Sequence, residues 1–254
     1  MNLPDFASFY WIVLLSAGFF VIITGRYFIV AGLFYGIFYK WFPGKFSSRK
    51  INKKEYNKGQ LKKEIRWSVI SSFLFSVVAA FTVVLWQKGY TKIYDKIDLY
   101  GWWYLPVSLL IYIFLQETYY YWIHRWMHLP AIFRVVHKVH HDSRVASPFT
   151  AFSFHPLEGL LQAVFLPVLF LFIPIHYFVI IFLLVIMSIS SVINHLDIDV
   201  YPENPDHFIN KYVIGANHHA WHHKYFKNNF GLYFTFWDKL KKTEGAGFPK
   251  KHSK

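Results

Sequence analysis

The amino-acid sequence predicts an all-α integral membrane protein. It has about four transmembrane helices, a fifth candidate span at 27–41, and a histidine-rich helical cap on the cytoplasmic side. Three observations predict this. Several apolar windows approach or reach the ~20 residues that a bilayer crossing needs. The basic residues collect in a few connecting segments, as they do on the cytoplasmic side of membrane proteins. The histidines gather where the apolar runs end.

The first window, 7–24, reads ASFYWIVLLSAGFFVIIT. The N-terminal stretch MNLPDFASFY has neither the basic region nor the small-residue cleavage site of a signal peptide, so this span is expected to be retained. Tyr27–Trp41 is also apolar, and reads either as an interfacial segment or as the return leg of a first hairpin. Lys45 to Arg66 then carries nine Lys/Arg against two Glu. The next span, 67–86, reads WSVISSFLFSVVAAFTVVLW, and the short segment 88–99 is an outer loop with three Lys and two Asp. GWWYLPVSLLIYIFLQ, 101–116, continues aromatic to Trp122 and returns the chain to the inside. Residues 159–194 are almost wholly apolar and long enough for an out-and-back hairpin, with Pro167 and Pro174 as breaks.

The positive-inside rule places the 44–66 loop and the tail, with Lys239, Lys241, Lys242, Lys250, Lys251 and Lys254, in the cytoplasm. The net charge of +13 is therefore a topology signal with contact to anionic lipid, and a docking surface for an acidic partner is an additional role. With 55% hydrophobic residues, a soluble nucleic-acid binder is excluded. The absence of cysteine excludes disulfides and thiolate metal ligands. In this topology every clustered histidine falls on one side of the membrane.

Eight of the fourteen histidines form three groups: His124 and His128 as H-x-x-x-H, His137, His140 and His141 as H-x-x-H-H, and His219, His222 and His223 as a second H-x-x-H-H beside His218. Residues three and four apart share one helix face, so each group aims imidazoles at one point. Neutral imidazole suits zinc, copper, iron and nickel. One zinc needs four ligands, so eight histidines can serve two ions. The zinc-protease pattern H-E-x-x-H is absent. Isolated His176, His207 and His252 read as ordinary core or surface residues. Glu117 lies seven residues before His124, on the same face, where a carboxylate in a span needs a partner; it is a candidate to support a ligand. Asp142, Glu158, Asp197 and Asp238 are weaker candidates of that kind. Asn194 either orients a ligand or caps its helix. Trp102, Trp103, Tyr119, Tyr120, Tyr121 and Trp122 form an interfacial aromatic belt, with an access groove as the alternative.

The boxes HRWMH, HKVHH and HHAWHH, in this order, resemble those of the fatty acid hydroxylase/sterol desaturase superfamily of membrane di-iron enzymes. SPFTAFSFHPLEG (147–159), INH (193–195) and GANHHAWHHKYFKNNFGLYFTFWDKL (215–240) resemble the segments around the family's boxes, nearer its sterol desaturase branch. The resemblance covers about 100–242. It implies three parts: N-terminal spans and basic loop at 1–100, a catalytic domain at 101–242 and a basic tail at 243–254. It also implies two non-haem iron ions held by His124, His128, His137, His140, His141, His219, His222 and His223. His195 would be a ninth ligand, and His155 a ligand or a neighbour of one.

The activity so implied is O2-dependent hydroxylation or desaturation of a lipid, sterol-like or fatty acyl. The sequence has no dinucleotide, flavin or haem motif, so electrons are expected from an external donor of cytochrome b5 or ferredoxin type. The expected location is an integral membrane site facing the cytoplasm, in a bacterial cytoplasmic membrane or, in a eukaryote, the endoplasmic reticulum. Two other classes fit parts of the pattern. A zinc-dependent membrane hydrolase or isomerase would contain zinc and need no O2. A metal transporter would want charges inside its spans, and these interiors are nearly free of them.

Overall fold

The computed structural model describes residues 3–53 and 56–247; Lys54, Glu55 and the end of the tail, including Lys250, Lys251, His252 and Lys254, lie outside the described residues. Helix α1, Phe9–Tyr35, runs without a break into a π-helical turn at Gly36–Trp41. The segment 27–41 is therefore neither a hairpin leg nor a separate span, but the end of the first helix. At ~1.5 Å per residue the 33 residues Phe9–Trp41 reach about 50 Å, well beyond a ~30 Å hydrocarbon core. No proline interrupts this stretch, so nothing in its backbone forces a turn.

A short helix α2 (Pro43–Phe46) leads to α3 (Lys58–Gln87), capped by Asn57, whose side chain accepts the Gly59 N–H at 2.8 Å. Helix α4 (Tyr104–Met127) follows. Its buried residues Ser108, Tyr112, Gln116, Tyr120 and His124 recur every four positions. Leu129 takes the extended conformation required before a proline, and Pro130 opens α5 (Pro130–Val136), so the chain turns directly after His128. Helix α6 (Lys138–His141), a 3₁₀ turn at Pro148–Phe152, α7 (Pro156–Phe172) and α8 (Tyr177–Asn194) come next. Pro167 sits inside α7 without ending it; the break falls at Ile173–Pro174. Helices α9 (Phe208–Tyr212), α10 (Ala216–Tyr225) and α11 (Phe236–Leu240) close the cap.

Among the described residues, three helices are long and apolar enough to cross a membrane: Phe9–Trp41, Gly59–Gln87 and Tyr177–Asn194. Pro156–Phe172 is a shorter apolar helix. The expected span at 101–121 folds as part of α4, which is not among these three helices; buried Ser108, Gln116 and Glu117 interrupt its apolar run. The 88–99 loop is tied to the turn between α7 and α8 by a parallel two-residue pairing of β1 (Ile93–Tyr94) with β2 (Ile175–His176). His176 is fully buried there, its Nε2 3.0 Å from Asp95 O. Beneath this turn, Tyr112, Leu166, Phe170, Ile175, Val179 and Leu183 form the largest apolar cluster. At the opposite end the C-termini of α4 and α8 meet α6 and α10.

Candidate metal centre

Nine histidines meet where these ends converge. His124 lies in the last turn of α4 and His128 caps it; His137 precedes α6, and His140 and His141 lie in it; His195 caps α8; His219, His222 and His223 lie on α10. They sort into two groups, His124, His128, His137, His141 and His222, and His140, His195, His219 and His223. One ring nitrogen from each member lies within 4.8 Å of those of its group. All but His128 are buried, and the groups abut: the His141 and His223 rings are 4.5 Å apart.

The outer nitrogens are held by the fold. His124 Nδ1 lies 2.9 Å from Phe230 O, His222 Nδ1 2.7 Å from Asn228 O, His195 Nδ1 2.7 Å from Ser191 O, and His140 Nδ1 3.3 Å from Ser153 O. His137 Nδ1 lies 2.9 Å from Glu158 Oε1, with both groups fully buried. A ring that donates Nδ1–H outward presents a bare Nε2 inward, the arrangement common to metal-bound histidine. His140 and His195 both do so, and their Nε2 atoms face each other at 3.2 Å. Two lone pairs meet at that point, which a bound cation relieves. The Nε2 atoms of His124 and His137 are buried with no hydrogen-bond partner. Burial, with the neighbouring imidazoles adding to it, holds His137, His140, His141, His219, His222 and His223 far below the ordinary imidazole pKa. They are therefore neutral at neutral pH, the form in which imidazole binds a metal. Donor type, burial and convergence all fit a pair of transition-metal ions.

His155 belongs to neither group. It caps α7 instead, its Nδ1 accepting the Leu157 N–H at 3.3 Å, since the first N–H groups of a helix have no acceptor within it. His218 is also outside both groups.

Glu117 and Asn194 bond to the backbone after the third box rather than to an imidazole. The Glu117 carboxyl accepts N–H bonds from Leu232, Tyr233 and Phe234, at 2.6 Å from Tyr233 N, and Asn194 Nδ2 donates to Leu232 O at 2.9 Å. Buried Asp238 accepts from Phe230 N and Gly231 N at 3.0 and 2.9 Å. Burial pushes its pKa up. These groups fix the loop whose Phe230 carbonyl holds His124. Gly231 is required by the same crowding, since an added Cβ would lie 2.5 Å from Phe234 O and 2.9 Å from Glu117 Oε1. Asp142 pairs with Lys138 on the surface, and Asp197 accepts from Asn52 Nδ2 at 2.6 Å, tying the basic loop to the end of α8.

The aromatic residues do not form one groove. Trp102 and Trp103 stand exposed at the N-terminal end of α4, whereas Tyr120 packs on His124 and Tyr121 stacks on Trp237. The carbonyls of Phe230, Ser153, Ser191 and Asn228, and the contact of Glu158, are the parts of the site that histidine spacing does not reveal.

The fatty acid hydroxylase family model matches residues 109–243. Human (Homo sapiens) lathosterol oxidase is 31% identical over 188 residues, covering 73% of this chain and 62% of that protein. Delta(7)-sterol 5(6)-desaturase ERG3B of Gibberella zeae is 31% identical over 204 residues, covering 80% and 62%. Delta(7)-sterol 5(6)-desaturase ERG3 of Saccharomyces cerevisiae is 32% identical over 192 residues, covering 75% and 51%. The aligned region thus spans about half to three-fifths of the length of these relatives. No solved structure gives a significant match. With the family match running from near the start of α4 past α11, and with every imidazole of both groups inside it, this membrane protein belongs to the fatty acid hydroxylase family, on the side of its sterol desaturases.

Proposed function

We propose that the chain is a membrane di-iron oxidoreductase, which uses O2 and electrons from a separate carrier to desaturate or hydroxylate a lipid at an unactivated C–H bond. The observation that carries this reading is the pair of abutting imidazole groups, five and four in number, with bare nitrogens converging in each. Two iron ions held there would supply the redox chemistry with O2 that an unactivated C–H bond demands. Sterol-like lipids are the first substrates to test, because the relatives are named for sterol oxidation and desaturation.

The protein's own contribution is positional. Carbonyls of three separate segments hold the Nδ1–H groups outward, which fixes the tautomer and aims each ring. Burial keeps the imidazoles neutral and excludes water from the site. Exposed Arg134, Lys138, Arg144, Lys224 and Lys227 lie on the segments that carry the second and third boxes. Such a basic face would steer an acidic electron carrier of cytochrome b5 or ferredoxin type. With these charges on the cytoplasmic side, the buried site lies at the cytoplasmic end of the long helices.

The test is mass spectrometry of lipids from cells expressing the wild type or His140→Ala, together with metal analysis of the purified protein. A wild-type-only lipid lighter by two hydrogens identifies a desaturase; one heavier by an oxygen identifies a hydroxylase. Unchanged lipids with zinc in the purified protein would overturn the proposal in favour of a zinc hydrolase or isomerase.

A further inference from the structure

We propose that one polar face of α3, made of Glu64, Ser68 and Ser71, positions the second imidazole group by acting on His140 through the segment 147–154. The inference rests on the metal-site reading above. All three residues lie outside the part of the chain that the family model matches.

Residues 64, 68 and 71 follow the i, i+4, i+7 spacing of a single helix face. They are 1%, 0% and 0% exposed in a helix otherwise dominated by apolar residues. Nearby Ser72 and Ser76 satisfy themselves by bonding back to carbonyls of their own helix, at 2.8 and 2.7 Å. Ser68 and Ser71 instead reach across. Ser68 Oγ donates to Phe149 O and Ser71 Oγ to Phe154 O, each at 3.3 Å.

Glu64 makes the strongest connection. Its carboxylate accepts from Gln60 Nε2 at 2.7 Å, Thr150 Oγ1 at 2.8 Å, Ser147 Oγ at 3.0 Å and the Tyr56 hydroxyl. A carboxylate has about four acceptor positions, and these four neutral donors match them. Ser147 caps the 3₁₀ turn that follows the second histidine box, and Thr150 is the third residue of that turn. Two further bonds link that turn to the site. Ser153 N donates to Thr150 O at 2.9 Å, and Ser153 O lies 3.3 Å from His140 Nδ1. From the carboxylate to the imidazole there are thus three bonded links, through Thr150 and Ser153. Glu64 is a positioning residue: it sets where the carbonyl stands that fixes the His140 tautomer.

The experiment strips the full-length protein in detergent and titrates it with cobalt(II), read by visible absorption, then with iron(II), read by metal analysis. Glu64→Leu keeps roughly the volume and removes every acceptor. It should weaken one of the two ions by about 10–100-fold, the usual scale for a group that orients a ligand, and leave the other unchanged. Glu64→Gln, which retains one acceptor oxygen, should fall between Glu64→Leu and the wild type. If Glu64→Leu is not monodisperse, Thr150→Val carries the test, since it removes the Oγ1 bond to Glu64 that begins the path, with the Ser147 N–H bond to the same oxygen, and keeps the backbone bond from Ser153 N to Thr150 O. A folded variant that binds both ions like the wild type overturns the proposal. So does equal weakening of both ions, which would mean a general structural role. A wild type that holds two ions yet leaves lipids unchanged would overturn the oxidoreductase reading and not this one; a wild type that cannot take up two ions overturns both.

Discussion

Replacing Glu117 should separate loop-anchoring from fold collapse in a graded way. Its Oε2 lies 2.6 Å from Tyr233 N, 3.3 Å from Phe234 N and 3.3 Å from Leu232 N, while Oε1 lies 3.2 Å from Leu232 N. In Glu117→Gln the amide oxygen can take the Oε2 position and keep Tyr233 and Phe234. The amide NH2 then faces Leu232 N, donor against donor. One buried N–H loses most of its acceptor, at a cost of about 1–3 kcal/mol. Glu117→Ala strands all three N–H groups, a cost of about 3–9 kcal/mol by the same measure. For a chain of this size about 1 kcal/mol corresponds to roughly 2–4 °C in Tm. Glu117→Gln should therefore melt at least about 2 °C below the wild type, and Glu117→Ala at least about 6 °C below it. The assay is thermal unfolding in one detergent, with metal content measured on the same samples. Metal loss should accompany the destabilisation, because Phe230 O, in the anchored loop, holds His124. If both variants melt together, or Glu117→Ala melts with the wild type, the accounting of three N–H bonds is wrong.

Other substitutions test neighbouring parts of the argument. Gly231→Ala places a Cβ 2.5 Å from Phe234 O, and should lower both stability and metal content more than alanine at exposed Lys227, checked by the same melt and metal analysis. Glu158→Gln alters the contact to His137 Nδ1, and should reduce the affinity for one ion by about 10–100-fold in a metal titration. His155→Ala removes only a helix cap, costing about 0.5–2 kcal/mol, and should leave two ions bound, whereas His140→Ala should lose one.

Much of this site was legible because imidazoles at i, i+3 and i+4 carry their own geometry. Nine of the ten histidines assigned to metal fall into the two groups. His155 was ambiguous by content, though a residue directly before Pro156 at a helix start is a capping signal. Of the partners of the rings, only Glu158, a weaker candidate from the sequence, was legible; it lies beside His137. Phe230, Ser153, Ser191 and Asn228 contribute backbone carbonyls, which leave no trace in residue type. Glu117 was placed on the correct face by its spacing from His124, but its partners lie more than 100 positions away, beyond local pattern. The same limit applied to 27–41, where hydropathy alone does not distinguish a helix that continues from one that turns back. In α4 the apolar run was real, but the buried polar row at Ser108, Gln116 and Glu117 lowers its standing as a span.

Both halves of the centre are braced by one device. A carboxyl group on a long helix accepts several donors from a loop, and a carbonyl in that loop holds an imidazole. Glu64 on α3 does this for the 147–154 segment, which reaches His140. Glu117 on α4, with Asp238, does it for 230–234, which reaches His124. On α8 the carbonyl of Ser191 holds His195 with no loop between them. The ligand positions are thus referred to three long helices, two of them apolar enough to span a membrane. The cap's short helices α6 and α10, at 4 and 10 residues, are too short to hold such geometry alone. Order at the candidate metal centre is consequently referred to the packed long helices, at whose ends the imidazole cluster sits.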